Sequence, residues 1–195
     1  MKNHIIELML VSVIVARFVA FGQDTFSIVA VDTITGQVGS AGASCLAGSI
    51  IISDVHPGVG VIHTQSYWHL TNQNYARTLM NQGHSPQQII DSLVAHDAEG
   101  NPSTRQYGVV DIVGGGRSAA YTGVNCFDYK NHILGQNYAI QGNILLGYQI
   151  LESMEVFFLS TAGTFTDRLM AALQAAKVPG ADIRCLSSGR SSISA

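Results

Sequence analysis

The chain has 195 residues, of which 47% are hydrophobic and only 12% charged. That apolar content can fill a core and excludes a disordered chain. Ten Lys and Arg against thirteen Asp and Glu give a net charge of −3, and no basic cluster is present to track phosphates, which argues against a nucleic-acid partner.

Lys2 precedes an apolar run from Leu8 to Phe21, too short to span a bilayer. Ala20 and Gly22 are the small residues that signal peptidase needs before a cut at Gln23. Arg17 and Glu7 depart from the ideal pattern. The expectation is a signal peptide over 1–22 and one domain over 23–195. The protein is then exported, periplasmic or extracellular, with no stable membrane anchor after cleavage.

Phe26–Val31 is rich in β-formers and predicts a strand. Asp32-Thr33-Ile34-Thr35-Gly36 is a turn, and Gln37–Ala43 the returning strand. Gly39, Gly42 and Gly48 thin that strand, as where another backbone or a ligand comes close. Ile50–Ser53 is a short apolar run, Pro57-Gly58 a turn, and Val59–Gln65 a further strand. The period then becomes helical. Tyr75, Leu79 and Met80 share a face that ends near Gly83. Ser85-Pro86-Gln87-Gln88 opens a second helix with a capping box and Pro at its first position; Ile89, Ile90, Leu93 and Val94 are its buried face.

Arg105–Val113 and Arg117–Thr122 are strands joined by Gly114-Gly115-Gly116. No Lys-Ser or Lys-Thr pair follows the triple glycine, so it is a hairpin signal and not a phosphate cradle. Tyr138–Gln141 is a short strand. Ile144–Phe158 predicts an apolar helix with Leu151, Met154 and Phe158 on one stripe. Thr164-Phe165-Thr166-Asp167 opens the last helix, with Phe165, Leu169 and Leu173 inward, and Pro179-Gly180 ends it. Ser191–Ala195 reads as the start of a strand that stops, so C-terminal strands are expected to be missing. Runs of strands alternating with helix pairs predict a layered α/β fold with antiparallel hairpins.

Cys45, Cys126 and Cys185 are an odd number and too widely spaced for a zinc knuckle. One disulfide plus one thiol suits an oxidising compartment; the preferred reading is three buried, small apolar residues. His56, His63 and His69 lack the tight spacing of a metal set. No metal or other cofactor is expected.

Five segments carry a resemblance, in order: Thr25–Asp32, Gly58–Ser66, Arg105–Asp111, Tyr121–Cys126 and Tyr138–Asn143. Together they resemble the domain of unknown function 1028 family. The resemblance implies an N-terminal-nucleophile (Ntn) hydrolase-like fold, a four-layer αββα sandwich. In that fold class the nucleophile is the first residue of the mature chain, because its free α-amine can take the proton from its own hydroxyl. The position matching the nucleophile is Thr25. Signal cleavage exposes Gln23 instead, so catalysis requires a further cut between Asp24 and Thr25. The bland alternative for Thr25 is an ordinary strand residue.

Other groups are candidates for the same cleft. Asp32 orients a polar network or starts a turn. His63 is an acid or base, or a hydrogen-bonded core histidine. Gln65 and Ser66 follow it near a strand end, as substrate contacts. Arg105 neutralises a carboxylate or oxyanion, or pairs with Asp111 or another acid. Gln141, Gly142 and Asn143 offer donors to an oxyanion, or Asn143 caps the following helix. Cys45 lacks a neighbouring base and is set aside as a nucleophile. Two functions follow. One is hydrolysis of amide bonds in a small molecule or peptide-like substrate, with Thr25, Asp32, His63 and Asn143 as catalytic candidates. The other is a non-catalytic binding or interaction domain at the cell envelope. The low charge also suits a homo-oligomer, since mutual repulsion is weak.

Overall fold

A computed structural model of the chain describes residues 25–195; the expected signal peptide lies outside them. Eight strands and four α-helices follow in the order β1 (Thr25–Asp32), β2 (Gln37–Ser44), β3 (Ser53–His56), β4 (Gly60–Ser66), α1 (Leu70–Asn81), α2 (Pro86–Ala95), β5 (Arg105–Asp111), β6 (Arg117–Thr122), β7 (Asn131–Gly135), β8 (Tyr138–Gly142), α3 (Gln149–Ser160) and α4 (Phe165–Ala175). They form two antiparallel four-stranded sheets, ordered β2-β1-β8-β7 and β3-β4-β5-β6.

Strand alternation decides what each face buries. On β1, Phe26, Ile28 and Ala30 join a core with Leu151, Met154 and Phe158 of α3 and Leu169 and Ala172 of α4. On the other sheet, Ile62, Tyr107, Val109 and Ala119 pack against Leu79 and Met80 of α1 and Ile89, Ile90 and Leu93 of α2. The opposite faces meet: Val29, Val31 and Ala139 of the first sheet pack on Val61 and Val110 of the second. Each sheet therefore carries a helix pair on the face turned away from its partner. The thin second strand has a local cause. A Cβ at Gly39 would stand 2.9 Å from Leu169 Cδ1, so the missing side chain lets α4 lie close on β2.

Local signals read from the sequence recur as geometry. Ser85 Oγ accepts from Gln88 N, and the Gln88 side chain accepts from Ser85 N, both arms of a capping box. Thr164 and Asp167 do the same for α4. Gly114, Gly115 and Gly116 all take positive φ in the turn between β5 and β6, a conformation that favours glycine.

Other expectations are corrected. The helix expected from Ile144 begins only at Gln149, with Ile144 at φ 53 and Leu145 paired to Asp182 across a bridge. Asn143 therefore caps no helix; Tyr148 stands at that end, without a side-chain cap. The short apolar run Ile50–Ser53 is divided between a 3₁₀ turn, Ser49–Ile52, and the first residue of β3. The edge strands β3 and β7 were unexpected. The cysteines are not all thiols: Cys45 and Cys185 form a disulfide across 140 positions. Cys126 is a buried thiol whose Sγ donates to the Arg105 carbonyl at 3.3 Å. The bond ties the segment after α4 to the end of β2, where Ser194 also bridges Ser44.

Candidate functional site

The layer between the sheets changes character along its length. At one end Val29, Val31, Val61, Val110 and Ala139 interlock. Two positions along β1 from Val29, the same face carries polar residues. Antiparallel register aligns Gly42, Ser27, Gln141 and His132 as one rung across the first sheet. Gln65, Gln106 and Thr122 form a rung across the second. Beside the latter runs a third rung of Ser53, His63, Gly108 and Ala120.

These rungs are joined by hydrogen bonds whose direction is fixed. Gln106 Nε2 donates to the backbone carbonyls of Gly142 (2.9 Å) and Asn131 (3.1 Å) and to Thr122 Oγ1 (3.0 Å). A carbonyl can only accept, so the Gln106 amide cannot be reversed. Its Oε1 then receives Gln65 Nε2 at 2.7 Å and Asn143 Nδ2 at 2.9 Å. Gln65 Oε1 accepts from Ser27 Oγ at 2.6 Å, and Ser27 Oγ accepts from Gln141 Nε2 at 2.7 Å. The network therefore ends in two acceptors, Gln141 Oε1 and Asn143 Oδ1, both buried and without a partner among the described residues. At the other side Thr122 Oγ1 lies 2.9 Å from His132 Nδ1. The Thr122 hydroxyl can accept from Gln106 and either donate to His132 or accept from it, according to the His132 tautomer.

Gly108 makes room for this arrangement. A Cβ there would stand 2.1 Å from Gln141 Oε1. Gly108 is also the register partner of His63. His63 is 1% exposed, and neither ring nitrogen has a partner among the described residues. Burial pushes its pKa down to about 3, so the imidazole is neutral. Ser66 closes β4 at φ 67, an uncommon conformation for a residue other than glycine, with its Oγ buried and unpartnered among the described residues.

The structure thus brings together His63, Gln65, Gln141, Gly142 and Asn143, with Ser66 at the end of the same strand. Gly142 contributes its carbonyl, and a Cβ on it would press Leu145 at 2.6 Å. Two candidates lie elsewhere. Asp32 sits at the opposite end of β1, seven residues or about 23 Å from Thr25. Its Oδ1 accepts from Ile34 N and Thr35 N, so it shapes the turn.

Arg105 points to the other face of β5 and is consumed there. Its Nε donates to Asp97 at 2.8 Å, one Nη to Glu99 at 2.6 Å, and the other to the Tyr67 carbonyl. Burial opposes ionisation of Asp97, but the hydrogen bonds from Arg105, Asn101 N, Asn72 and Glu99 N hold its carboxyl well below the usual carboxylate range. The expected ion pair with Asp111 or another acid is thus made with Asp97 and Glu99, while Asp111 pairs with Arg117 at 2.5 Å.

Ser27 and Gln106, the two hubs of the network, were not among the candidates. A signal exists for each: a polar residue inside a strand of apolar neighbours, Phe26-Ser27-Ile28 and Gln106 ahead of Tyr107 and Val109. Among the described residues no cluster of three His, Cys, Asp or Glu could hold a metal ion, and no helix is long and apolar enough to cross a membrane.

Comparison with known proteins agrees with this architecture. The crystal structure of a DUF1028 protein from Silicibacter pomeroyi is similar, with a TM-score of 0.71 and 27% identity, over 78% of this chain and 70% of that one. No curated protein matches. The model of the family of unknown function DUF1028 matches residues 25–193. The chain belongs to the DUF1028 family.

Proposed function

We propose that this chain is an exported amide-bond hydrolase that uses Thr25 as an N-terminal nucleophile on an Ntn-hydrolase-like αββα sandwich. One observation carries the reading. Thr25 is the first residue of β1, paired in register with Ser44, one rung beyond the Ser27–Gln141 rung at which the inter-sheet layer becomes polar. The family match begins at the same residue.

Removal of residues 1–24 frees the Thr25 α-amine, whose ordinary pKa lies near 8. The amine takes the proton from the Thr25 hydroxyl as its oxygen attacks the carbonyl carbon of the substrate amide. The C–N bond breaks, the amine product leaves with that proton, and water hydrolyses the resulting ester. Gln141 and Asn143 were expected to donate to the oxyanion from their side chains. The fixed polarity of the network suits them to another task, because their free ends are oxygens. As acceptors they suit the terminal amine or the N–H of the substrate amide. His63, neutral and unpartnered among the described residues, is a contact for uncharged groups and a poor proton carrier near pH 7.

A non-catalytic binding domain is the second reading. It is favoured by the internal saturation of Ser27, Gln65 and Gln106, which spend their hydrogen bonds on one another. The test uses protein processed to begin at Thr25 and a panel of N-acyl amides, with released amine as the readout. The hydrolase reading expects turnover that Thr25→Ser keeps in part and Thr25→Ala abolishes. An Ala variant as active as the parent would sink it.

A further inference from the structure

The outer ends of two polar rungs open into a cleft of about 350 Å³ between the edge strands β2 and β3, at the small end of the range for small-molecule pockets. Gly42 and His63 reach it from the rungs. Ser40 and Ser53 span it from the two sheets, with their hydroxyl oxygens 2.9 Å apart. Ile52 and Leu173 are among its apolar walls, and half-exposed Met170 of α4 stands at the mouth. No Asp, Glu, Lys or Arg lines it.

Three features set the chemistry of an occupant. The walls are aliphatic, so part of the ligand is aliphatic. A neutral imidazole carries a donor on one edge of the ring and an acceptor on the other, so an uncharged group able to accept or to donate suits whichever nitrogen it meets. No side chain in the lining carries a charge to neutralise another, so an ion would enter at a desolvation cost without a side-chain partner. A carboxamide satisfies all three conditions: its oxygen accepts and its N–H donates. A carboxylate only accepts, and an ammonium only donates.

We infer that this cleft is a binding site for small uncharged amides with an aliphatic tail, read by His63. The inference names the substrate class of the proposed hydrolase and rests on that reading for its biological meaning, but the binding itself requires no freed Thr25. The test uses the full chain carrying Thr25→Ala, so that binding is read without turnover. Hexanamide is titrated while the ring nitrogens of ¹⁵N-labelled histidines are followed by NMR; hexanoate and hexylamine are the charged controls.

Hexanamide should shift the His63 ring signals and bind at least about tenfold more tightly than either ion. His63→Leu should weaken hexanamide about tenfold while the protein stays folded. Met170→Trp, a change at the half-exposed mouth, should block binding without touching the buried layer. Unmoved His63 signals, ions that bind as tightly as the amide, or unchanged affinity in the Met170→Trp variant would each overturn the site. Hexanamide binding in a protein that hydrolyses no amide keeps this site and removes the catalytic role of Thr25. Turnover of amides without hexanamide binding does the reverse.

Discussion

The two ends of the inter-sheet layer are equally buried and chemically opposite. At the valine end, Val29, Val31, Val61 and Val110 lose all exposure to water, and each fully buried side chain contributes about 1.5–3 kcal/mol. At the polar end, Ser27, His63, Gln65, Gln106, Gln141 and Asn143 are equally sealed. Their hydrogen bonds return little net stability, and the orphaned atoms of His63, Gln141 and Asn143 cost some. A core selected for stability alone would continue the valines. The polar end holds a fixed pattern of donors and acceptors at the start of β1, and it is also the end that the Cys45–Cys185 disulfide fastens. Local departure from good packing chemistry is where function is expected.

The comparison can be broken in four ways, from the largest effect to the smallest. Replacing both Cys45 and Cys185 by Ala releases a constraint across 140 positions and should cost about 4 kcal/mol in urea unfolding. Gln106→Leu removes the hub. It strands Asn143 Nδ2 and the carbonyls of Gly142 and Asn131, and should cost about 3 kcal/mol. Val29→Ala at the other end removes only packing, at about 2 kcal/mol, and should leave ligand binding at the polar end unchanged. His63→Leu, by contrast, should change stability by no more than about 1 kcal/mol or raise it, since it removes buried polar atoms that have no partner among the described residues.

His63 also has a pH signature. Its pKa falls from 6.5 in the unfolded chain to about 3 in the fold. Between those values the unfolded chain holds a proton that the folded protein refuses, so stability rises with pH across this window. The contribution is complete above pH 6.5 and is lost as pH falls toward 3. Asp97, a carboxylate with a depressed pKa, loses stability in the same direction, but only as pH falls below its ordinary value of 3.8. His63→Leu should therefore flatten the decline between pH 6.5 and 4 in urea midpoints and leave the loss below pH 3.8 in place. An unchanged slope would mean that His63 is solvated.

Elements whose signals are local were legible in the sequence. Ser85 with Gln88, and Thr164 with Asp167, place two helix starts within three residues of chain. Alternation places β1, β4 and β5. The misses have physical causes. β3 and β7 are edge strands of four and five residues with polar content, held by their partners more than by their own propensity. Asn143 looked like a helix cap because its side chain suits that role, but Ile144 turns to positive φ and the helix starts later. In the site, His63, Gln65 and Gln141 were legible as polar residues on apolar strands, and Asn143 as a polar residue just past the end of one. Their assembly was not, because Ser27 meets Gln65 across 38 positions and Gln141 across 114. Register across such distances is set by the whole fold. Arg105 misled for the same reason: strand parity turns it away from Gln106 to Asp97 on the outer face.

The central claim is that the polar end is built around Thr25 as a chain terminus. Intact mass and N-terminal sequencing of protein recovered after export test it most directly. The account predicts a mature chain that begins at Thr25, with residues 1–24 removed. Functional protein that begins at Gln23 would contradict it, because the Thr25 nitrogen would then be an amide and could not accept the proton of its own hydroxyl.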